Sequence, residues 1–141
     1  MNTRAEAFKK YLEGREFPME NIQIQELEDR TLMYMYQLVE EETVTIIISF
    51  PDTLNCVDMY VTSLGNVNDI KDTLAIYKKI NVLNSWRRNA KFYIDDQGTI
   101  NLTHSLLTDN LDYSLVLSVC GELLSVARLD YKGIKEVLTA Q

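Results

Sequence analysis

Asn81–Leu107 reads NVLNSWRRNAKFYIDDQGTINLTHSLL, and it changes period twice. Up to Arg87 it continues an apolar stripe of helical spacing. From Lys91 to Asp95, and again from Thr99 to Leu106, apolar residues alternate as they do in a strand. Asp96-Gln97-Gly98 between the two runs is a tight turn, with Gly98 supplying the positive φ that such turns need. Arg87, Arg88 and Lys91 close the helix, where cations complement its dipole. A helix that hands over to a β-hairpin is a unit of an α+β domain with an antiparallel sheet.

Upstream, this helix is expected to start at about Asp69, capped by Asn68 or Asp69, with Ile70, Leu74, Tyr77, Ile80 and Leu83 as its inner stripe. Strands are expected before it. Ile22 and Ile24 alternate with Asn21, Gln23 and Gln25. Leu32 to Glu40 places Leu32, Tyr34, Tyr36 and Leu38 on one face and Met33, Met35 and Val39 on the other. Thr43 to Phe50 points Val44, Ile46, Ile48 and Phe50 one way, and Val57, Met59 and Val61 alternate with Asp58, Tyr60 and Thr62. Thr3 to Glu13 reads as a first helix, with a Thr3–Glu6 capping box and Gly14 at its end. Downstream, Leu111 to Leu129 reads as a helix apolar almost all round, and Lys132 to Ala140 as a short terminal one. The order is α-β(three or four)-α-β-β-α, an α+β fold whose antiparallel sheet of five to six strands carries the helices.

A chain of 141 residues, 46% hydrophobic and 25% charged, reads as one globular domain over 1–141. Its net charge of −7 repels phosphate backbones, so no nucleic-acid role is expected. No apolar run approaches a membrane span, and MNTRAEAF, without an apolar h-region, is expected to carry no signal peptide. Cys56 and Cys120 sit far apart in apolar contexts, as free thiols of a cytoplasmic protein do.

Chemistry-bearing patterns are missing. There is no CxxC, no HExxH, no Walker sequence and no glycine-rich loop before a helix. His104 is the single histidine and reads as a surface or strand-end residue. Asp95 and Asp96 fall short of the six to eight oxygens that calcium takes and read as turn formers. No catalytic residue, cofactor or metal is expected, and the chain is read as a non-enzyme.

The same stretch resembles the YbjN-like family of bacterial proteins. Asn81 and Asn84 match the asparagines of its Asn-x-Trp-Asn element, with Leu83 where the family often has Trp and Trp86 three residues later. Arg87 and Arg88 match the basic helix end. Tyr93, Asp95, Asp96 and Gly98 match the strand and its Asp-Asp-x-Gly turn, and Leu102, Leu106 and Leu107 the return strand. Asn110 stands where a glycine is common. The resemblance implies a type III secretion chaperone-like fold and a homodimeric, protein-binding scaffold. Members are described as sensory transduction regulators, with no common biochemical activity.

Two surfaces follow. The last helix and the strand Leu32–Val39 hold more apolar surface than a small single-sheet domain covers, so a dimer interface is expected at Leu115, Val119, Leu123 and Val126. Gly121, which costs the helix about 1 kcal/mol against Ala, is expected to admit a neighbouring backbone. The second surface is a ligand or partner site around Tyr77, Asn84, Trp86, Arg87, Arg88 and Tyr93. It serves either protein contacts or a sensor pocket for a small molecule or peptide between the sheet and the second helix. Asn81 and Asn84 are also read as amides that satisfy backbone groups at this corner. Trp86 serves equally as packing or as a platform.

Overall fold

The computed structural model describes residues 1–140. Among them α1 is Thr3–Gly14, β1 Ile22–Glu26, β2 Arg30–Val39, β3 Glu42–Pro51, β4 Cys56–Thr62, α2 Thr73–Trp86, β5 Lys91–Ile94, β6 Ile100–Leu107 and α3 Tyr113–Thr139. The six strands form one antiparallel sheet in the order β1-β2-β3-β4-β6-β5. The chain leaves β4 through α2, enters the sheet's far edge as β5, and turns back to fill the gap with β6. The α+β architecture read from the sequence is thus the observed one, with all six strands in a single sheet.

One parity of every strand faces the core. Met33 pairs with Ile48 and Met35 with Ile46, Ile46 with Val61 and Ile48 with Met59, and Leu102 with Val61 and Phe92. These side chains join residues of α1, α2 and α3 in one cluster. α1 is fastened by tilted aromatic contacts: the Phe8 ring centroid lies 5.9 Å from that of Phe50 and 5.8 Å from that of Tyr113. Its cap is Asn2, one residue before the expected Thr3. The Asn2 carboxamide oxygen accepts from the Arg4 and Ala5 N–H groups at 2.9 and 3.3 Å.

α3 departs most from expectation. It is one helix of 27 residues, about 40 Å long at 1.5 Å per residue. The expected break at Leu129–Lys132 does not occur, because Asp130, Tyr131 and Ile134 carry the inner face straight through it. Nor is the helix apolar all round in effect. Val116, Val119, Cys120, Leu123, Val126 and Ala127 form one buried stripe at spacings of three and four.

α2 starts later than expected, capped by Asp72, whose carboxylate accepts from the Ala75 N–H at 3.1 Å. Its buried face is Ile76, Ile80 and Leu83. Leu74 and Tyr77, placed inside by the sequence reading, point outward. Packing on α3 and β5 sets that phase. At Gly133 of α3 a Cβ would come within 2.9 Å of Lys79 Cε, so glycine there gives room to the lysine stem. Several turns bend the backbone into the left-handed region, Glu16 and Ser63 among them. Gly98 has φ 77°, and Asn110 has φ 58° where the resembling family favours glycine. Glu40 and Glu41, at φ 50° and 68°, form the two-residue β2–β3 turn without the usual Asn-Gly.

Candidate protein-binding surface

Because the helices share one side of the sheet, the other parity of each strand forms a helix-free face. Gln23, Tyr34, Ile47, Tyr60, Thr103 and Lys91 run in register across all six strands. Beside this row stand Tyr36, opposite Thr45, and Leu38, opposite Thr43. Tyr93 pairs with Asn101 on the far strands. Leu38 is 65% exposed and Tyr36 49%. The only charged residues at the strand positions of this face are Arg30, Asp58 and Lys91.

The face is ordered by its own hydrogen bonds. The Tyr34 hydroxyl donates to the Gln25 carboxamide oxygen at 2.6 Å, and Tyr36 reaches Gln23 at 3.4 Å. Ser105 donates to the Asp58 carboxylate at 2.5 Å. Burial, and then the neighbouring Tyr93 and Tyr34, push the Tyr60 phenol above its ordinary range. Burial, and then Asp95, do the same to Tyr93. Tyr60 and Tyr93 are therefore neutral near pH 7, and the face is aromatic and nearly uncharged.

The expected interface on α3 is corrected by this geometry. Val119, Leu123 and Val126 lie in the core of one chain, covered by its own sheet, and offer nothing to a second copy. Only Leu115 of the four is exposed. Around Gly121 the chain leaves open space, so no backbone of its own approaches there. The apolar surplus lies on β2, where Met33 and Met35 serve the core while Tyr36 and Leu38 face outward.

The second expected site is dispersed over three places. Tyr77 and Trp86 stand on the outer side of α2, with Trp86 63% exposed. Asn84 turns inward and behaves as a one-residue strand. Its oxygen accepts from the Phe92 N–H at 2.7 Å and its amide donates to the Phe92 carbonyl at 3.0 Å. Asn81 shares none of this and is exposed. Tyr93 lies on the helix-free face, across the sheet from Phe92. Arg87 is taken up internally, its Nε donating to Asp130 of α3 at 3.0 Å in a bidentate pair. Arg88 remains exposed. No single pocket gathers these six residues, because a strand's alternation and a helix's curvature send them in different directions.

The Asp95 carboxylate is spent on its own turn. It accepts from the Gln97 and Thr99 N–H groups at 2.9 and 3.0 Å and from the Asn101 amide at 3.0 Å. The Asn101 bond first, and the backbone N–H groups after it, outweigh burial and hold the carboxyl below its ordinary range. Among the described residues no three of His, Cys, Asp and Glu gather as a metal site requires. His104 sits on the helix side of β6, between Leu102 and Leu106 and only partly exposed, with a buried Nδ1 that finds no hydrogen-bond partner among the described residues. It is neither a surface nor a strand-end histidine. Cys120 is buried, and burial pushes its thiol up to about 12. Burial also raises Cys56, followed by Asp58. No helix among the described residues is long and apolar enough to cross a membrane.

No protein-family description and no curated protein matches the chain. Solved structures do. A chain of the crystal structure of the ExsC–ExsE complex superposes with a TM-score of 0.63 at 14% identity, covering 94% of this chain and 96% of that one. An uncharacterized protein from Methanothermobacter thermautotrophicus superposes with a TM-score of 0.60 at 16% identity, covering 94% and 97%. At such identities the likeness is one of fold. The shared fold is α+β, with helices on one side of a single antiparallel sheet.

Proposed function

We propose that this chain is a non-enzymatic, protein-binding module of the YbjN-like kind, a homodimeric chaperone-like scaffold of the cytoplasm. The observation that carries the reading is the helix-free sheet face, which presents Tyr34, Tyr36, Leu38, Tyr60 and Tyr93 with few charges. Tyrosine-rich, charge-poor patches are the compositional mark of interface centres. Six strands about 4.8 Å apart, each lending some six residues at about 3.4 Å, span roughly 25 by 20 Å. That footprint of about 500 Å² is smaller than, though of the same order as, the ~800 Å² of accessible surface that one partner of a stable complex buries. Charge makes a second copy the fitting occupant. Two molecules of net charge −7 repel, and the face where they meet at least cost is the one nearly free of charge. The ExsC–ExsE neighbour is itself a complex of two proteins, which supports a protein partner by analogy of fold.

Light scattering at micromolar concentration tests the reading. The expected mass is twice the 16.3 kDa of the chain. A monomer that captures no protein from a cytoplasmic extract would overturn it.

A further inference from the structure

A second exposed apolar surface runs along the outer side of α2, and it differs in kind from the sheet face. Leu74, Lys78, Val82 and Trp86 follow one another at i, i+4 spacing and form a ridge, flanked by Tyr77 on one side and Arg88 at its end. From Leu74 to Trp86 the ridge is about 18 Å long. Its charge opposes that of the molecule. Between Asp69 and Lys91 stand six basic residues and two acidic ones, in a chain of net charge −7. α2 itself, TLAIYKKINVLNSW, holds no acid. Among the described residues neither Lys78 nor Arg88 enters an ion pair, whereas Arg87 is committed to Asp130.

The ridge is also held rigid. The Arg87–Asp130 pair ties the end of α2 to α3, the Asn84 amide ties it to Phe92, and Lys91 donates to the Asn84 carbonyl at 2.9 Å. A preformed surface spares its ligand the cost of ordering it.

We propose that this ridge docks an acidic amphipathic helical segment of a partner protein. Such a segment of about three turns lays its apolar stripe along Leu74, Val82 and Trp86, and its carboxylates meet Lys78 and Arg88. Helix-on-helix packing at 8–10 Å suits an i, i+4 ridge. The observations favour a peptide over an anionic membrane. A membrane plane would bring the acidic remainder of the molecule against like charge, whereas a single helix touches only the basic strip. The inference rests on the protein-binding reading but uses a different face from the dimer, so each fails separately.

Trp86 is the only tryptophan, and it sits on the ridge, so its emission reports occupancy directly. The full chain is titrated with a synthetic 14-residue helical peptide carrying Leu at i, i+4 and Glu elsewhere. The same peptide with Lys for Glu and vesicles of phosphatidylglycerol serve as alternatives. The expected result is a saturable blue shift with the acidic peptide alone, weakened at least tenfold between low and physiological salt. Lys78→Glu and Val82→Ser are each expected to reduce affinity about tenfold, with the thermal midpoint and the dimer mass unchanged. Three results would overturn the proposal: no saturable shift, an equal shift with the lysine peptide, or a shift with vesicles only. A shift that follows protein concentration without peptide would assign the ridge to a second copy, and would overturn it too.

Discussion

The helix-free sheet face and the outer ridge of α2 both expose apolar side chains, yet they are built to opposite electrostatic plans. The sheet face is broad and nearly without charge at its strand positions. The ridge is narrow and basic in an acidic molecule. Exposed apolar area alone therefore does not say what covers a surface. Charge sorts the two: like molecules meet best where neither carries charge, and an opposite partner is steered to where charge is reversed.

The two surfaces separate most visibly at Arg87. Its partner Asp130 is almost fully buried, and the arginine side chain is 22% exposed. Arg87→Ala strands a buried carboxylate at a cost of about 3 kcal/mol, the low end for a buried pair because of that exposure. In a chain of this size it lowers the thermal midpoint by about 10 °C. The joint replacement Arg87→Met with Asp130→Leu is expected to recover most of the loss, which calorimetry checks. The single substitution frees the end of α2 and weakens the ridge, while the sheet face keeps its geometry.

The reverse separation comes next. Tyr36→Lys with Leu38→Lys puts like charges on the sheet face, and raises the dimer dissociation constant at least tenfold, about 1.4 kcal/mol. Both side chains are exposed, so monomer stability changes by no more than about 0.5 kcal/mol. Sedimentation equilibrium paired with chemical denaturation reads the two effects, and Trp86 emission stays unchanged.

Much of this fold is written in local patterns. The hairpin around Gly98, the alternation of β2 to β4 and the first helix from Thr3 follow from side-chain period and turn chemistry, and each is observed. What could not be read locally was which of two apolar faces the fold would use. β2 and α3 looked alike, apolar on both sides. The sheet spent Met33 and Met35 on the core and left Tyr36 and Leu38 outside. The long helix drew Val119, Leu123 and Val126 inward and closed the surface they were expected to form. α2 was misphased for the same reason. Leu74, Tyr77 and Ile80 fit a stripe as well as Ile76, Ile80 and Leu83 do, and only the positions of α3 and β5 choose between them. Asp130 carried a signal that went unread, an acid on the inner phase of the last helix, which called for a basic partner.

Alkaline pH probes the α3 side of the same contrast. Burial raises the Cys120 thiol, ordinarily near 9, to about 12. Burial first, and then the hydrogen bond to Glu42, raise the Tyr131 phenol from 10 to about 12. Both groups are favoured neutral in the fold. Their contribution is whole below their unfolded values and is lost as pH rises from about 9 through about 12. Stability is expected to fall over that window, and Cys120→Ala with Tyr131→Phe to flatten the fall. A pH series of denaturant midpoints measures it.

The smallest effect lies at the β2–β3 turn beside Leu38. Glu40→Asn with Glu41→Gly suits the left-handed backbone there, and is expected to stabilise the chain by about 1 kcal/mol. Dimer affinity and Trp86 emission remain as they are, so the gain in the denaturant midpoint separates turn strain from binding.

Two copies are proposed to meet through the sheet face and not through α3. Isotope-filtered nuclear Overhauser spectroscopy on a mixture of labelled and unlabelled protein tests it most directly. Contacts between chains are expected from Tyr34, Tyr36, Leu38, Ile47 and Tyr60. Contacts between chains arising instead from Leu115 and Leu129 of α3, or none at all from a 16.3 kDa monomer, would contradict it.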